Sequence, residues 1–163
     1  MKSDKISLVQ LNVVEDRLHM ALSGAIWFPI WLSWGDDSFP GEKWEDIGVD
    51  IISAITAYII QAPSNGRQTV QFPDGPYRII LGPADNAKLF IRMVNSRLET
   101  TDGVTYTDVC ADLRKFLNSV ILCATRVLDR CIKNGWSGER VDELRQAVDA
   151  LNHYKNSPKD SET

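Results

Sequence analysis

The chain has little of what metal sites and imidazole catalysis require. Its only histidines are His19 and His153, and neither has a second histidine or a cysteine at a helical or zinc-finger spacing. The pair Asp36 and Asp37 lacks the alternating carboxylate ladder of an EF-hand. A serine elbow, a Walker sequence and a dinucleotide-binding glycine motif are also missing. We therefore expect no catalytic residue, no metal and no cofactor, and predict that the protein is not an enzyme.

Cysteine is scarce as well, and its placement excludes a disulfide framework. Cys110, Cys123 and Cys131 are an odd number without a C-x-x-C pair. On one helix the Cα atoms of Cys123 and Cys131 would be about 12 Å apart, which no disulfide spans. Free thiols indicate a reducing compartment, and no apolar signal segment directly follows the charged first residues. We expect a cytoplasmic protein.

Long apolar runs and an excess of positive charge are absent too. The most apolar stretches, residues 25–34 and 47–60, are too short for a membrane span, and Asp50 interrupts the second. Lys and Arg total 18 against 22 Asp and Glu, a formal net charge of −4. That sign is wrong for a protein that grips phosphates over a broad face. We expect neither a membrane nor a nucleic acid as partner.

What remains is the composition of an ordinary globular domain. The 163 residues are 44% hydrophobic and 25% charged, which suits one folded unit with its own core. The last residues are polar. We predict a single α+β domain over residues 1–156 and a polar, disordered tail over residues 157–163.

Alternation and turn residues predict an antiparallel sheet of five or six strands. Residues 6–14 and 17–22 are apolar-rich runs, and the second alternates strictly, so together they predict a hairpin. An aromatic-rich strand follows at residues 26–34, in which Pro29 favours an edge position or a bulge. Turn compositions separate three further predicted strands, at residues 68–72, 77–81 and 87–94.

Apolar residues at helical spacing predict three helices. The first begins near Trp44, is mostly buried and ends at Pro63. The second is the longest and runs from Thr107 to a cap at Gly135. A short connection with Ser137 as N-cap turns the third helix back antiparallel to the second. The apolar seam of the third helix consists of Val141, Leu144, Val148 and Leu151.

Charge is unevenly placed along the chain. Residues 35–50 hold six carboxylates and one lysine, with three large aromatic residues among or beside them. Turn and helix-start preferences explain much of this pattern, which is the simpler interpretation. The functional interpretation is a docking surface for a basic partner, because Trp anchors interfaces and carboxylates steer association. The predicted partner-binding residues are Trp34, Asp36, Asp37, Phe39, Glu42, Trp44, Asp46 and Asp50.

Three segments carry a resemblance to a known family and together span most of the chain. They are Phe39-Pro40 with Trp44-Glu45-Asp46 before an apolar helix, the strand Gly75-Pro76-Tyr77-Arg78-Ile79, and Lys133-Asn134-Gly135-Trp136 before a short helix. The arrangement resembles the small cytosolic immunity proteins that bacteria carry beside polymorphic or contact-delivered toxins. That resemblance implies an inhibitor that binds one cognate toxin tightly, often through acidic residues when the toxin is a basic nuclease.

Two alternatives of other classes stay open. An acidic secretion chaperone has a similar size, charge and content of sheet and helix, but such chaperones usually begin with a helix, whereas this sequence begins with strands. A chaperone would also hold its partner unfolded. A small-molecule enzyme would use Asp37 or Asp50 as an acid or base, and a deep pocket lined by convergent polar groups would distinguish it.

Overall fold

The computed structural model describes residues 6–61, 66–85, 87–100 and 103–157. Within them the chain has an α+β fold. The strands are β1 (Ile6–Ser7), β2 (Gln10–Val13), β3 (His19–Met20), β4 (Ile26–Trp34), β5 (Asp37–Phe39), β6 (Glu45–Ile47), β7 (Gln68–Gln71), β8 (Tyr77–Ala84), β9 (Lys88–Thr100) and β10 (Gly103–Asp112). The helices are α1 (Gly48–Gln61), α2 (Leu113–Lys133) and α3 (Glu139–Asn156), and a 3-10 turn spans Glu15–Arg17.

The first sheet is a meander with one added strand. Its order is β1-β10-β9-β8-β7, antiparallel throughout except that β1 runs parallel to β10. The strands predicted at residues 68–72, 77–81 and 87–94 are confirmed as β7, β8 and β9, although β9 continues to Thr100. Arg92 on β9 and Asp108 on β10 face each other and form two hydrogen bonds of 2.7 and 2.8 Å.

The second sheet is built around β4, which pairs antiparallel with β2, β3, β5 and β6. The predicted hairpin of residues 6–14 and 17–22 is therefore wrong, because β2 and β3 each pair with β4 and β1 lies in the other sheet. Of the two alternatives predicted for Pro29, an edge position or a bulge, the edge position is wrong, because β4 has partner strands on both sides. The Pro29 carbonyl accepts from the Val14 N–H at 3.2 Å. The ring nitrogen of Pro29 points to the same side of the strand, toward the 3-10 turn, where no neighbouring strand needs a backbone N–H donor.

Helix α1 begins at Gly48, four residues later than the predicted start near Trp44, because Glu45–Ile47 pairs with β4 as a strand. Close packing against Phe28 requires a glycine at position 48. A Cβ on Gly48 would lie 2.1 Å from the ring of Phe28, far inside van der Waals contact. The helix is described as far as Gln61, and the predicted stop at Pro63 lies outside the described residues.

Helix α2 begins at Leu113 and not at Thr107, because residues 107–112 belong to β10. Cys110 is accordingly on a strand. Asp112 caps the helix, since its Oδ1 accepts from the Lys115 N–H at 2.8 Å. The predicted cap at Gly135 is confirmed, with a left-handed φ of 71°.

Helix α3 follows with Gly138 at its N-cap, so the predicted cap at Ser137 is one residue too early. Its predicted seam is confirmed, because all four seam residues are buried. The helix ends at Asn156, and residues 158–163 of the predicted tail lie outside the described residues.

One hydrophobic cluster joins the two sheets and the helices. The inner face of β4 and the apolar face of α1 meet the first sheet there, and α1 also packs on α3. The four β4 side chains that point into this core are fully buried, at 0% exposure, while Trp27 and Trp31 on the other face are half-buried. These core-facing residues of β4 are Ile26, Phe28, Ile30 and Leu32, and Pro29 between them is buried as well.

Candidate functional site

The acidic segment forms a hairpin tip followed by a loop. Strands β4 and β5 are joined by Gly35 and Asp36, since Trp34 pairs with Asp37. Gly35 has a φ of 53°, as a two-residue hairpin with glycine in its first turn position requires. The turn leaves Asp36 and Asp37 exposed at its tip, and the loop to β6 leaves Glu42 exposed.

An aromatic cluster of Phe39, Phe72, Trp44 and Tyr77 supports this loop. The ring of Phe39 meets Phe72 and Tyr77 edge to face at centroid distances of 6.0 and 5.6 Å. The ring of Trp44 meets Tyr77 at 4.8 Å in the same manner. Both ends of the loop are thereby attached to β8 and the residue that follows β7, so the loop is held by packing and not only by its own turn.

Asp46 connects the loop to the turn between β7 and β8. Its side chain is fully buried, and it accepts hydrogen bonds from the Trp44 Nε1–H at 3.0 Å, the Ile47 N–H at 2.7 Å and the Asp74 N–H at 3.0 Å. Burial raises the pKa of Asp46 above its ordinary value of 3.8, although these hydrogen bonds oppose the shift. The three bonds make Asp46 a structural centre for the loop.

The structure places the remaining predicted partner-binding residues in different settings. Asp46 is fully buried and Phe39 is only 9% exposed, because both serve as supports of the loop, so neither lies on its surface. Trp34 and Trp44 are half-buried. Asp50 lies elsewhere, on α1, where its Oδ1 is 2.9 Å from Nη1 of Arg140 on α3.

One carboxylate that the sequence did not point to joins the loop. Asp74 is exposed in the turn between β7 and β8, and its N–H is held by Asp46. Its neighbour Gly75 packs against Trp44, since a Cβ there would lie 3.1 Å from the indole. The turn composition of residues 73–76 was visible in the sequence, but nothing in it indicated this contact. We call the four exposed carboxylates Asp36, Asp37, Glu42 and Asp74 the acidic surface.

Some carboxylates outside this surface are engaged by cations, whereas others that are exposed, such as Asp85, Asp129 and Asp149, form no ion pair within the described residues. Arg17 and His19 contact Glu45 at 3.4 Å each, and Arg145 contacts Asp142 at 2.9 Å. By contrast, within the described residues no ion pair involves any carboxylate of the acidic surface. These four groups are thus available to a cation from outside the chain.

The cysteines have the properties of buried structural thiols. Burial raises the pKa of Cys123 to about 12 and that of Cys131 to about 11. The Cys123 Sγ–H donates to the Leu11 carbonyl at 3.1 Å. Thiols with raised pKa values are poor nucleophiles at neutral pH, so neither cysteine is suited to nucleophilic chemistry.

Comparison with known proteins adds no family to these observations. No protein-family model matches the chain, and no curated protein or solved structure is significantly similar to it. Among the described residues, no three His, Cys, Asp or Glu side chains converge as metal ligands would. None of the helices described is both long and apolar enough to cross a bilayer. Function is therefore inferred from the charges and the geometry of the surface itself.

Proposed function

We propose that this protein binds a basic protein toxin through the acidic surface and neutralises it, as the resemblance to bacterial immunity proteins implies. The observation that carries the proposal is the grouping of four exposed carboxylates, none of them in an ion pair within the described residues, around one supported loop whose single cation is Lys43. Exposed carboxylates are common on any protein. Unpaired carboxylates gathered on two segments that are joined by a buried aspartate are a more specific feature.

The packing and hydrogen bonds that hold the loop favour binding, because a loop that is already ordered loses less conformational entropy when the partner binds. Loops that are rigid before association lose less conformational entropy in the complex. Here the aromatic cluster and the three hydrogen bonds of Asp46 hold the backbone on both sides of Glu42. The half-buried Trp34 and Trp44 would provide the apolar contacts that anchor such an interface.

Neutralisation of the toxin would depend on both the charge and the shape of the acidic surface. A cationic cleft that binds nucleic acid attracts carboxylates to the same place, and a loop seated in that cleft excludes the substrate. Loss of one desolvated charge from such an interface costs about 2–5 kcal/mol, whereas loss of a charge at its rim mainly slows association. The inhibitor itself needs no catalytic group in this mechanism.

Growth rescue tests the proposal. The partner is first identified as a protein that co-purifies with the full chain from its native host and arrests growth when expressed alone. We expect the wild-type chain to restore growth, and the triple variant Asp36→Asn, Asp37→Asn and Asp74→Asn to fail while remaining folded. A matched control, Asp85→Asn with Asp129→Asn and Asp149→Asn, removes the same number of exposed carboxylates from outside the acidic surface and should still rescue.

Two results would overturn the proposal. Rescue by the triple variant at wild-type level would exclude the acidic surface as the contact. A captured partner that is harmless when expressed alone, or that is bound in an unfolded state, would exclude toxin neutralisation and favour a chaperone.

A further inference from the structure

A groove of about 450 Å³ lies between β2 and α2, and none of the residues that line it belongs to the acidic surface. Volumes of about 300–1,000 Å³ are usual for small-molecule sites. Residues 8 and 10–13 line the strand side, and α2 lines the other side from Lys115 to Arg126. These two helix residues are eleven positions apart, so the helix side of the groove is about 16 Å long. A groove of this length suits an elongated ligand.

Apolar side chains are exposed on both sides of the groove. Leu8 on the strand side is 55% exposed, and Leu122 on the helix side is 56% exposed. The half-buried Trp31 of β4 also lines the groove. Solvent reaches both leucines, so a ligand can contact them without any change in the fold. Large apolar side chains that face water around one groove are typical of a surface that another molecule covers.

The extent of this apolar area favours a small ligand over a second copy of the chain. Stable protein interfaces bury about 800 Å² on each partner. Two half-exposed leucines and one half-buried indole provide far less than that. A hydrocarbon chain, by contrast, can be covered by these three side chains.

The charge of the groove indicates the sign of the ligand's polar end. Lys115 and Arg126 are the only charged residues among those that line it. Arg126 is neutralised by Glu15, with Nε 3.2 Å from Oε1. Lys115 is exposed and forms no ion pair within the described residues. One end of the groove therefore presents a free cation, in a protein whose formal net charge is −4.

Amide side chains at the same end can hold the oxygens of an anion. Asn118 follows Lys115 by three residues on α2, which places both side chains on one face of the helix. Gln10 lines the groove from the strand side, and both amides are exposed. Each amide carries two N–H donors, and the lysine ammonium carries three. Donors of this kind suit a carboxylate, whose two oxygens accept several hydrogen bonds at once.

We propose that this groove binds a medium-chain aliphatic carboxylate. The carboxylate lies against the Lys115 ammonium and the amides of Asn118 and Gln10. The hydrocarbon chain runs between Leu8 and Leu122 in the direction of Arg126. This inference is independent of the toxin partner, because it depends on β2 and α2 and not on the acidic surface.

Titration of the full-length chain with sodium decanoate, kept below the concentration at which it forms micelles, tests the site by calorimetry and amide NMR. We expect saturable binding, with shifts concentrated in residues 8–13 and 115–126. Decyltrimethylammonium has a chain of the same length and the opposite charge, and should bind to these residues at least tenfold more weakly. Equal binding of decyltrimethylammonium there, a lack of saturation by decanoate, or shifts centred elsewhere would overturn the proposal.

Two substitutions at exposed positions remove the proposed ligand contacts and leave the core unchanged. Lys115→Gln removes the free cation, and we expect the decanoate affinity to fall at least fivefold. Leu122→Ser removes an apolar contact along the chain and should lower the affinity at least threefold. Wild-type affinity in either variant would overturn the assignment.

Matched controls lie on the same helix but outside the groove. Lys133→Gln removes another exposed lysine, and Ile132→Ser removes an apolar side chain that is 52% exposed. Both controls should bind decanoate with the wild-type affinity. Losses as large as those of the groove variants would show that decanoate binds to α2 without a specific site, and would overturn the proposal.

Sedimentation velocity tests the other occupant of the groove, a second copy of the chain. We expect Leu122→Ser and the wild type to have the same sedimentation coefficient. A wild-type dimer that dissociates in Leu122→Ser would show that a second copy covers the groove, and would overturn the assignment to a carboxylate.

Discussion

At the scale of single residues, Asp46 has the largest structural consequence for the proposed surface. Its carboxylate accepts from the N–H groups of its near neighbours Trp44 and Ile47 and from that of Asp74, which lies 28 residues further along the chain. Without it, these donors would have no acceptor inside the protein, and each buried unsatisfied group costs about 1–3 kcal/mol. The backbone beneath the acidic surface is therefore held by a residue that is itself fully buried.

The raised pKa of Asp46 predicts a specific pH dependence. Because folding favours the protonated carboxyl, Asp46 contributes stability that is complete below its unfolded pKa of 3.8 and is lost as the pH rises through its higher folded pKa. The variant Asp46→Asn lacks this contribution. Urea unfolding of both proteins between about pH 4 and pH 7 should show the wild type gaining relative to the variant as the pH falls. A pH-independent difference between them would contradict this prediction.

Gly48 provides a second prediction at this scale. The variant Gly48→Ala places a methyl group where the Phe28 ring already lies, at a distance of 2.1 Å. Overpacking of a core usually costs about 1–3 kcal/mol, and we expect the upper part of that range because Phe28 is fully buried. Gly41→Ala is the matched control, since no atom lies within 4 Å of its Cβ position. Equal denaturation midpoints for the two variants would refute the argument.

At the scale of elements, α2 closes an edge of the second sheet with its side chains. The Leu11 N–H of β2 donates to Ser119 Oγ at 3.0 Å, and the Leu11 carbonyl accepts from Cys123 Sγ at 3.1 Å. An edge strand with unpaired N–H and C=O groups is open to unwanted strand pairing. The helix thus protects β2 in addition to covering the core.

Ser119→Ala tests this protection. The substitution removes the acceptor of the buried Leu11 N–H, so we expect a loss of about 1–3 kcal/mol and faster hydrogen exchange at the Leu11 amide. The exposed neighbour Asn118 is the control, because Asn118→Ala leaves Leu11 bonded. An unchanged exchange rate in Ser119→Ala would show that another group satisfies Leu11.

The elements that could be predicted from the sequence are those whose periodicity is long. The buried residues of α2 and α3 recur at helical steps over many turns, and both helices are present. The start of α2 was misplaced because Val109 and Leu113 also fit a helical spacing, while the pairing of Asp108 with Arg92 across two strands decides for β10. The acidic residues Glu45 and Asp46 suited a helix start equally well, but pairing with β4 makes them a strand.

At the scale of the whole molecule, two arginines of the first sheet are engaged by groups within the chain. On the first sheet, Arg92 is held by Asp108 and lies 4.1 Å over the Tyr106 ring, and Arg67 lies 4.7 Å over Phe90. These guanidinium groups are engaged within the chain, whereas the acidic surface forms no ion pair within the described residues. The proposed function uses this difference, because carboxylates without a counterion attract a cationic protein more strongly than carboxylates that an arginine already neutralises.

Association with a basic partner should therefore depend strongly on salt. The distance over which charges act falls from about 30 Å at 0.01 M to about 3 Å at 1 M ionic strength. We expect the association rate constant, measured by stopped flow or surface plasmon resonance, to fall at least about tenfold over that range. Asp36→Asn with Asp37→Asn should flatten the dependence. A rate independent of salt would argue against steering by these groups.

Part of the candidate site could be predicted from the sequence, and part could not. Asp36, Asp37 and Glu42 stand among turn-forming residues, which favour the surface, and all three are exposed. The roles of Asp46 and Asp74 depend on a hydrogen bond between residues 28 positions apart. No local pattern contains such a contact, because it arises only when β6 and the turn after β7 come together in the fold.

Strands β1 and β2 belong to different sheets, and this has a consequence for folding during synthesis. Ile6 pairs with Cys110, so β1 acquires its partner only after roughly a hundred further residues have been translated. At about 5–20 residues per second, that delay is about 5–20 s. Chaperones that bind nascent chains therefore have ample time to engage β1, and the last step in completing the first sheet must follow the emergence of β10 from the ribosome.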